Sequence, residues 1–273
     1  MTPISILTIV HDRLPALINM LHGLELSTHL PDEVVVIFMN EDISELPTTQ
    51  FPVRTARIDR HGFLPLAEAR NLAAEQASFE HLIFLDVDCI PSTDLVAQYL
   101  QTAALPETLW TGLVRYLRKG ATEASDLFSS LNEVSDADPI RQVDEEITYE
   151  LFWSLNFGCT KTTFKRIGGF DTAFTGYGGE DTDFAFSARE KGVPIHWLDA
   201  VAYHQYHPSY APPLNHLEDI IKNAAIFRSK WGVWPMTGWL KKFLDGGYIN
   251  WKQDHIDLKV LPTAKEIEAC LKV

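Results

Sequence analysis

Cysteine is scarce in this chain: three residues in 273, Cys89, Cys159 and Cys270, odd in number and far apart. That excludes a disulfide framework, and with no Cys-x-x-Cys pair it also argues against a thiolate zinc site. Basic residues are few as well. Lys and Arg number 23 against 37 Asp and Glu, for a net charge of −14. Such a surface repels DNA, RNA and anionic lipid, so no nucleic-acid partner is expected. A small anionic ligand then needs local help, from a metal ion or a few placed basic groups. No stretch reaches the roughly 18 apolar residues of a membrane span. The apolar start of the chain has no basic segment before it and is cut short by His11, Asp12 and Arg13. It does not read as a signal peptide, and a cytoplasmic protein is the expectation. Internal repeats and low-complexity tracts are also missing.

What is present is an alternation of strand and helix signals over the first hundred residues. Residues 4–10, 33–39 and 81–85 are continuous apolar runs rich in β-branched residues. Residues 14–26 carry leucines and isoleucine at helical spacing, and 65–77 begin with proline and are filled with alanine. Residues 53–58 read as a weaker strand, and 110–117 as a further one. Apolar strands separated by helices predict an α/β fold with a doubly wound, mainly parallel sheet and helices on both faces. At 122–150 the composition changes. Nine acids face one base, Arg141, which predicts a partly mobile surface excursion, either a plain solvated loop, the preferred reading, or a lid. From residue 212 the pattern is helical and holds four of the seven tryptophans, Trp231, Trp234, Trp239 and Trp251. Trp and Lys together suit a membrane interface, but two lysines are few, and packing onto the main domain is preferred.

Three constellations carry chemistry. The apolar strand at 81–85 runs into Asp86-Val87-Asp88, with its two acids on one side of an extended segment. Two such charges need a counter-cation or a proton, and oxygen donors suit Mg²⁺ or Mn²⁺. Two turn-forming aspartates ahead of Pro91 would look the same. His204 and His207 end a later apolar run and offer further metal donors. Between them lies Gly168-Gly169-Phe170-Asp171 leading to Gly176-Tyr177-Gly178-Gly179-Glu180-Asp181-Thr182-Asp183, five glycines and four acids in sixteen residues. Glycines permit positive φ and close approach. The acids suit a general base, and equally the positive end of a helix dipole.

In their order and spacing these elements resemble the GT-A glycosyltransferases of the inverting, family 2 type. The glycine-and-acid run is similar to the C-terminal region of galactosyltransferases and N-acetylgalactosaminyltransferases, and Ala69-Arg70-Asn71 fits the family pattern. The resemblance implies a GT-A domain over residues 1–210 with a helical extension at 211–273. Within the domain, 1–117 would bind the nucleotide sugar, 118–150 would be the excursion, and 151–210 would hold the acceptor. It implies that Asp86 contacts the donor, that Asp88 binds Mn²⁺ or Mg²⁺, and that His204, ahead of His207, is the next ligand. Asp181 would be the base, with Glu180, Gly178 and Gly179 beside it. Val10, His11, Arg13 and Asn40 would grip the nucleotide, although Asn40-Glu41-Asp42 departs from the Asp-Gly-Ser common there. Arg70 would reach the diphosphate or brace the Asp-x-Asp loop; the alternative is a surface Arg paired with Glu68 or Glu75. Trp153 and Tyr177 would stack on sugar, or simply pack. The expected reaction moves a hexose or N-acetylhexosamine from a UDP-linked sugar to a glycan or glycolipid. Two rivals remain. A sugar-nucleotide pyrophosphorylase-like enzyme should show a glycine-rich basic loop after the first strand, which Val10-His11-Asp12-Arg13-Leu14-Pro15 lacks. A non-catalytic sugar-binding relative would keep the fold without turnover.

Overall fold

The computed structural model describes residues 2–141 and 146–272. Asp144 and Glu145 of the acidic excursion fall outside them. In chain order the elements are β1 (Ile4–Val10), α1 (Leu14–Glu25), β2 (Glu33–Met39), β3 (Val53–Ile58), α2 (Leu66–Gln76), β4 (His81–Leu85), β5 (Cys89–Pro91), α3 (Leu95–Leu100), β6 (Leu109–Leu117), α4 (Leu127–Ser130) and β7 (Ser135–Ala137). They continue with β8 (Asn156–Thr160), α5 (Lys161–Ile167), α6 (Glu180–Glu190), β9 (Ile195–His204), β10 (Ser209–Tyr210), α7 (Leu217–Trp231), α8 (Thr237–Asp245), β11 (Ile249–Trp251), β12 (Ile256–Leu258), α9 (Ala264–Ala269) and β13 (Leu271–Lys272).

The main sheet runs β3-β2-β1-β4-β8-β6-β9-β5, with β7 on β6. From β3 to β4 it is parallel, as the helix-separated apolar runs require. Beyond β4 it is mixed, because β8 enters antiparallel to both β4 and β6 while β9 lies parallel to β6. Alternation along the strands sorts side chains to two faces. Ile4, Ile6, Val34, Val36 and Phe38 face α1 and α3, while Leu7, Ile9, Val35, Ile37 and Met39 face α2, α5 and α6. The alanines of α2 (Ala67, Ala69, Ala73, Ala74) are all buried and let that helix lie close to the sheet.

The excursion after β6 is structured where it is described. Residues 135–137 pair with β6, and Leu127 and Leu131 pack on Ile90, Leu117 and Tyr203. The C-terminal tryptophans turn inward. Trp234, Trp239 and Trp251 pack on a separate cluster around Leu240 and Phe243, and Trp231 sits against Phe186 and Phe227. Cys89 and Cys159 are buried and unpaired, and Cys270 is half-buried. Among the described residues, no helix is long and apolar enough to cross a membrane.

Candidate active site

β4 ends between β1 and β8, and the chain turns sharply there. Asp86 N–H donates to the Leu155 carbonyl (2.8 Å), and Cys89 N–H donates back to the Asp86 carbonyl (2.8 Å). The turn feeds β5, whose first residue pairs with the last residue of β9, Cys89 against His204. Gln205 N–H then donates to the Asp88 carbonyl at 2.6 Å. The buried Gln205 side chain spans to α1, donating to the Ala16 carbonyl (3.0 Å) and accepting from Asn19 (2.8 Å). Nothing in the sequence pattern singled out Gln205, whose partners lie almost two hundred residues away.

This junction brings Asp88, His204 and His207 together, with one donor atom from each lying within 4.8 Å of the others. His207 Nε2 is 3.6 Å from Asp88 Oδ2, and Arg13 Nε is 4.0 Å from the same oxygen. Both histidines enter the cluster, His204 and His207 alike. Asp86 stands outside this trio. Burial raises the pKa of Asp86, and the Asp88 charge raises it further; burial raises that of Asp88 too, against the pull of Arg13 and His207. Burial also lowers His204 to about 4, so its imidazole is neutral at neutral pH. A shielded carboxylate with two imidazoles is a donor set that fits a divalent cation, and the nitrogens favour Mn²⁺ over Mg²⁺.

The glycine-and-acid run forms a second part of the site, tied to α2 through Arg70. Gly176, Gly178 and Gly179 all have positive φ (69°, 96° and 90°), a conformation that disfavours side chains. The chain can therefore fold tightly before α6 opens with Glu180 and Asp181 in its first turn. Glu180 accepts from buried Arg70 at 3.0 Å, and the Arg70 guanidinium lies 5.2 Å over the Phe170 ring. Arg70 is thus neither a surface residue nor a partner of Glu68, which pairs with Arg60 instead. Asn71, next along α2, exchanges two hydrogen bonds with the Phe170 backbone (2.7 and 2.8 Å). Asp181 Oδ1 accepts from Thr182 N–H at 2.7 Å. Burial and the neighbouring Glu180 charge push Asp181 up to about 7, while Arg70 opposes them. The Arg70 charge also acts on Asp86, so both parts of the site feel one cation.

The other two acids of the run serve the fold. Asp183 is fully buried, bonded by Lys230 (2.9 Å) and Trp231 Nε1 (2.7 Å), and Asp171 takes the same Lys230 at 2.9 Å. α7 contributes more. Buried Asn223 donates to the carbonyls of Thr175 (3.0 Å), Tyr177 (3.3 Å) and Gly178 (2.9 Å). Asp219 accepts from Tyr177 N–H at 3.2 Å. A legible signal for Asn223 existed: it is an amide on the apolar stripe formed by Ile220, Ala224 and Phe227.

At the ends of β1 and β2, Asp12 and Asn40 both have positive φ (53° and 54°). His11 Nδ1 is 2.7 Å from the Met39 carbonyl and binds the two strand ends together, while Val10 is buried beneath them. The Asn40 amide is engaged at both ends, donating to Phe63 and accepting from Arg60 N–H (2.9 and 2.6 Å). It works as a strut between β2 and the segment around residues 60–63. Trp153 lies beneath the buried Arg141 guanidinium (4.5 Å), which bonds Asp138 at 2.6 Å. Tyr177 lies elsewhere, 38% exposed, with its hydroxyl pushed up to about 12 by burial and by the charges of Glu180, Asp181 and Asp86.

Residues 139–210 match a family model described as the N-terminal domain of galactosyltransferase. The validoxylamine A glucosyltransferase of Streptomyces hygroscopicus subsp. jinggangensis (strain 5008) is 28% identical over 153 residues, covering 48% of this chain and 36% of that one. The chondroitin synthase of Escherichia coli is 24% identical over 172 residues, covering 52% and 25%. The chain thus spans only a minor part of these relatives. Among solved structures, GalNAc-T7 with UDP, GalNAc and Mn²⁺ superposes with a TM-score of 0.57 at 16% identity, covering 90% of this chain and 54% of that one. S. aureus TarS in complex with UDP-GlcNAc gives 0.56 at 14% identity, covering 83% and 67%. Strand order, sequence relatives and structural neighbours agree: the chain has the GT-A fold and is a relative of the glycosyltransferases.

Proposed function

We propose that this chain is an inverting, metal-dependent glycosyltransferase that moves a hexose or N-acetylhexosamine from a UDP-linked sugar to a glycan or glycolipid. The observation that carries the reading is the cluster of Asp88, His204 and His207 just beyond Asp86, with one donor atom from each within 4.8 Å of the others. That cluster has the chemistry to hold a donor diphosphate, and Asp181 is a base tuned near neutrality. Sequence relatives named as a glucosyltransferase and a chondroitin synthase support sugar transfer. The neighbour solved with UDP and Mn²⁺ supports the donor and metal classes.

Asp88, His204 and His207 would hold the cation, which supplies Lewis-acid stabilisation of the departing diphosphate. Arg13, beside Asp88, adds positive charge at the same end. Asp86 accepts from hydroxyls of the donor. Glu180, clamped by Arg70, keeps its second oxygen for a sugar hydroxyl. Asp181 uses Oδ1 for Thr182 and takes the acceptor's proton on Oδ2 as the new C–O bond forms. A single displacement from the face opposite the leaving group inverts the anomeric carbon.

The pyrophosphorylase-like rival is disfavoured because the β1–α1 turn passes from Asp12 straight to Pro15 with no glycine-rich basic loop. The deciding experiment offers a panel of nucleotide sugars with Mn²⁺ and reads nucleoside diphosphate release. Release with an acceptor present supports transfer. Binding without any turnover supports the non-catalytic rival. For the metal, Asp88→Ala is expected to abolish the Mn²⁺-dependent part of UDP stabilisation in a thermal shift assay. Unchanged stabilisation would remove Asp88 from the metal site.

A further inference from the structure

The three residues of the cation cluster come from two stretches of chain far apart in sequence. Asp88 leads into β5, while His204 ends β9 and His207 follows it. The ladder between these stretches is short. β5 pairs with β9 over three residues, and beyond Cys89 and His204 the last rung is the Gln205 N–H, which donates to the Asp88 carbonyl at 2.6 Å. Among the described residues, Gln205 makes every hydrogen bond that ties residues 205–208 to the rest of the molecule: this rung and the two from its side chain to α1. His207 adds a local one, its Nδ1–H donating to the Pro208 carbonyl at 3.0 Å, which leaves Nε2 turned to Asp88.

The far end of that tie is fixed. α1 buries Leu17, Met20, Leu21 and Leu24 against the sheet. It also lies close on β5: a Cβ added to Gly23 would meet Ile90 Cγ2 at 2.8 Å and Pro91 Cδ at 2.9 Å. The helix starts from Arg13, whose Nε is 4.0 Å from Asp88 Oδ2. One helix therefore references both halves of the cluster, β5 through Gly23 and the histidine segment through Ala16 and Asn19. An amide suits the link because one end donates and the other accepts. Nε2 of Gln205 goes to the Ala16 carbonyl at 3.0 Å, and Oε1 takes the Asn19 amide at 2.8 Å. With both ends engaged and only 4% of the residue exposed, the side chain holds one orientation.

We propose that Gln205 is a positioning residue for the cation site: held by Ala16 and Asn19 of α1, it sets His204 and His207 against Asp88. The proposal rests on the metal site of the transfer reading above. It concerns a residue whose side chain points to α1 and acts on the cation through its neighbours. Groups that stand behind metal ligands orient them, and losing one weakens metal binding or activity by about 10–100-fold.

The test reads Mn²⁺ itself, by EPR titration in the presence of UDP, alongside thermal melts. Gln205→Met keeps the length of the side chain and removes its hydrogen bonds. It should raise the Kd for Mn²⁺ about tenfold and weaken the nitrogen modulation that bound imidazoles impose on the Mn²⁺ spin echo. Asn19→Ala removes one of the two ties to α1 and should shift both readouts the same way by less. It carries the test with the same outcomes if Gln205→Met does not fold. Leu240→Ala, in the separate C-terminal cluster, supplies a destabilised control, which should melt earlier and bind Mn²⁺ as wild type does. Wild-type affinity and modulation in folded Gln205→Met, or an equal loss in Leu240→Ala, would overturn the brace alone. Wild type that takes up no Mn²⁺ would overturn the metal site of the transfer reading and the brace with it.

Discussion

At the scale of single residues, the site depends on unequal treatment of similar groups. Glu180 and Asp181 are neighbours in one helical turn, yet only Glu180 has an arginine in direct contact. Asp181 is left with a backbone N–H and a nearby like charge, and burial pushes it up to about 7. Asp181→Asn should leave donor binding nearly intact while transfer falls by about 10²-fold or more; transfer at the wild-type rate would assign the proton to another residue. The raised value also sets a sign for stability. A carboxyl that holds its proton more tightly folded than unfolded stabilises below its unfolded pKa and loses that contribution as pH rises through the folded one. Wild type should therefore lose melting temperature relative to Asp181→Asn between pH 3.8 and about 7, and paired melts across that window check it.

At the scale of elements, the division of labour lies between the two parts of the site and what braces them. β1, β2 and β4 were legible because a strand buried on both faces is a near-continuous apolar run. α2 was legible from its alanines, and its Arg70-Asn71 pair proves to clasp the loop before α6. β5 has only three residues, too few for a pattern, and its pairing with β9 decides where Asp88 and His204 meet. The roles of Asp171 and Asp183 were not legible either, since their partner Lys230 is set by packing between distant segments. Asn223 differs in that an amide on the apolar stripe of α7 marks it, although its partners are again set by packing. Asn223→Ala would leave three loop carbonyls without their donor, costing about 1–3 kcal/mol. Because that loop sets the position of Asp181, kcat should fall more than donor KM changes. A variant with full stability and full kcat would show that the loop holds its shape unaided.

At the scale of the whole molecule, the ends of the sheet have separate duties. The ends of β1, β2 and β4 at His11, Asn40 and Asp86 lie at one end of the sheet. At the other end, buried Glu33 fastens β1, β2 and the segment after α2, accepting from Ser5 (2.7 Å), the Ser78 hydroxyl (2.9 Å) and Arg54 (3.3 Å). Burial works against its charge, but the hydrogen bonds from Ser78, Ser5 and Arg54 prevail and hold its pKa below 4.5. A lowered carboxylate stabilises above its unfolded pKa and stops doing so as pH falls through the folded one. Glu33→Gln should therefore melt earlier than wild type at neutral pH, with the gap closing in acid below 4.5; a gap that persists there would mean shape, not charge, is at stake. The three thiols extend this to the whole core. Two sulfurs are sealed against the sheet and one sits half-open near the C-terminus. A brief pulse of alkylating reagent should tag Cys270 alone in the intact molecule, and all three only when the sheet opens. The chain thus carries its own clock for core opening, with a built-in reference signal, and no residue need be changed to read it.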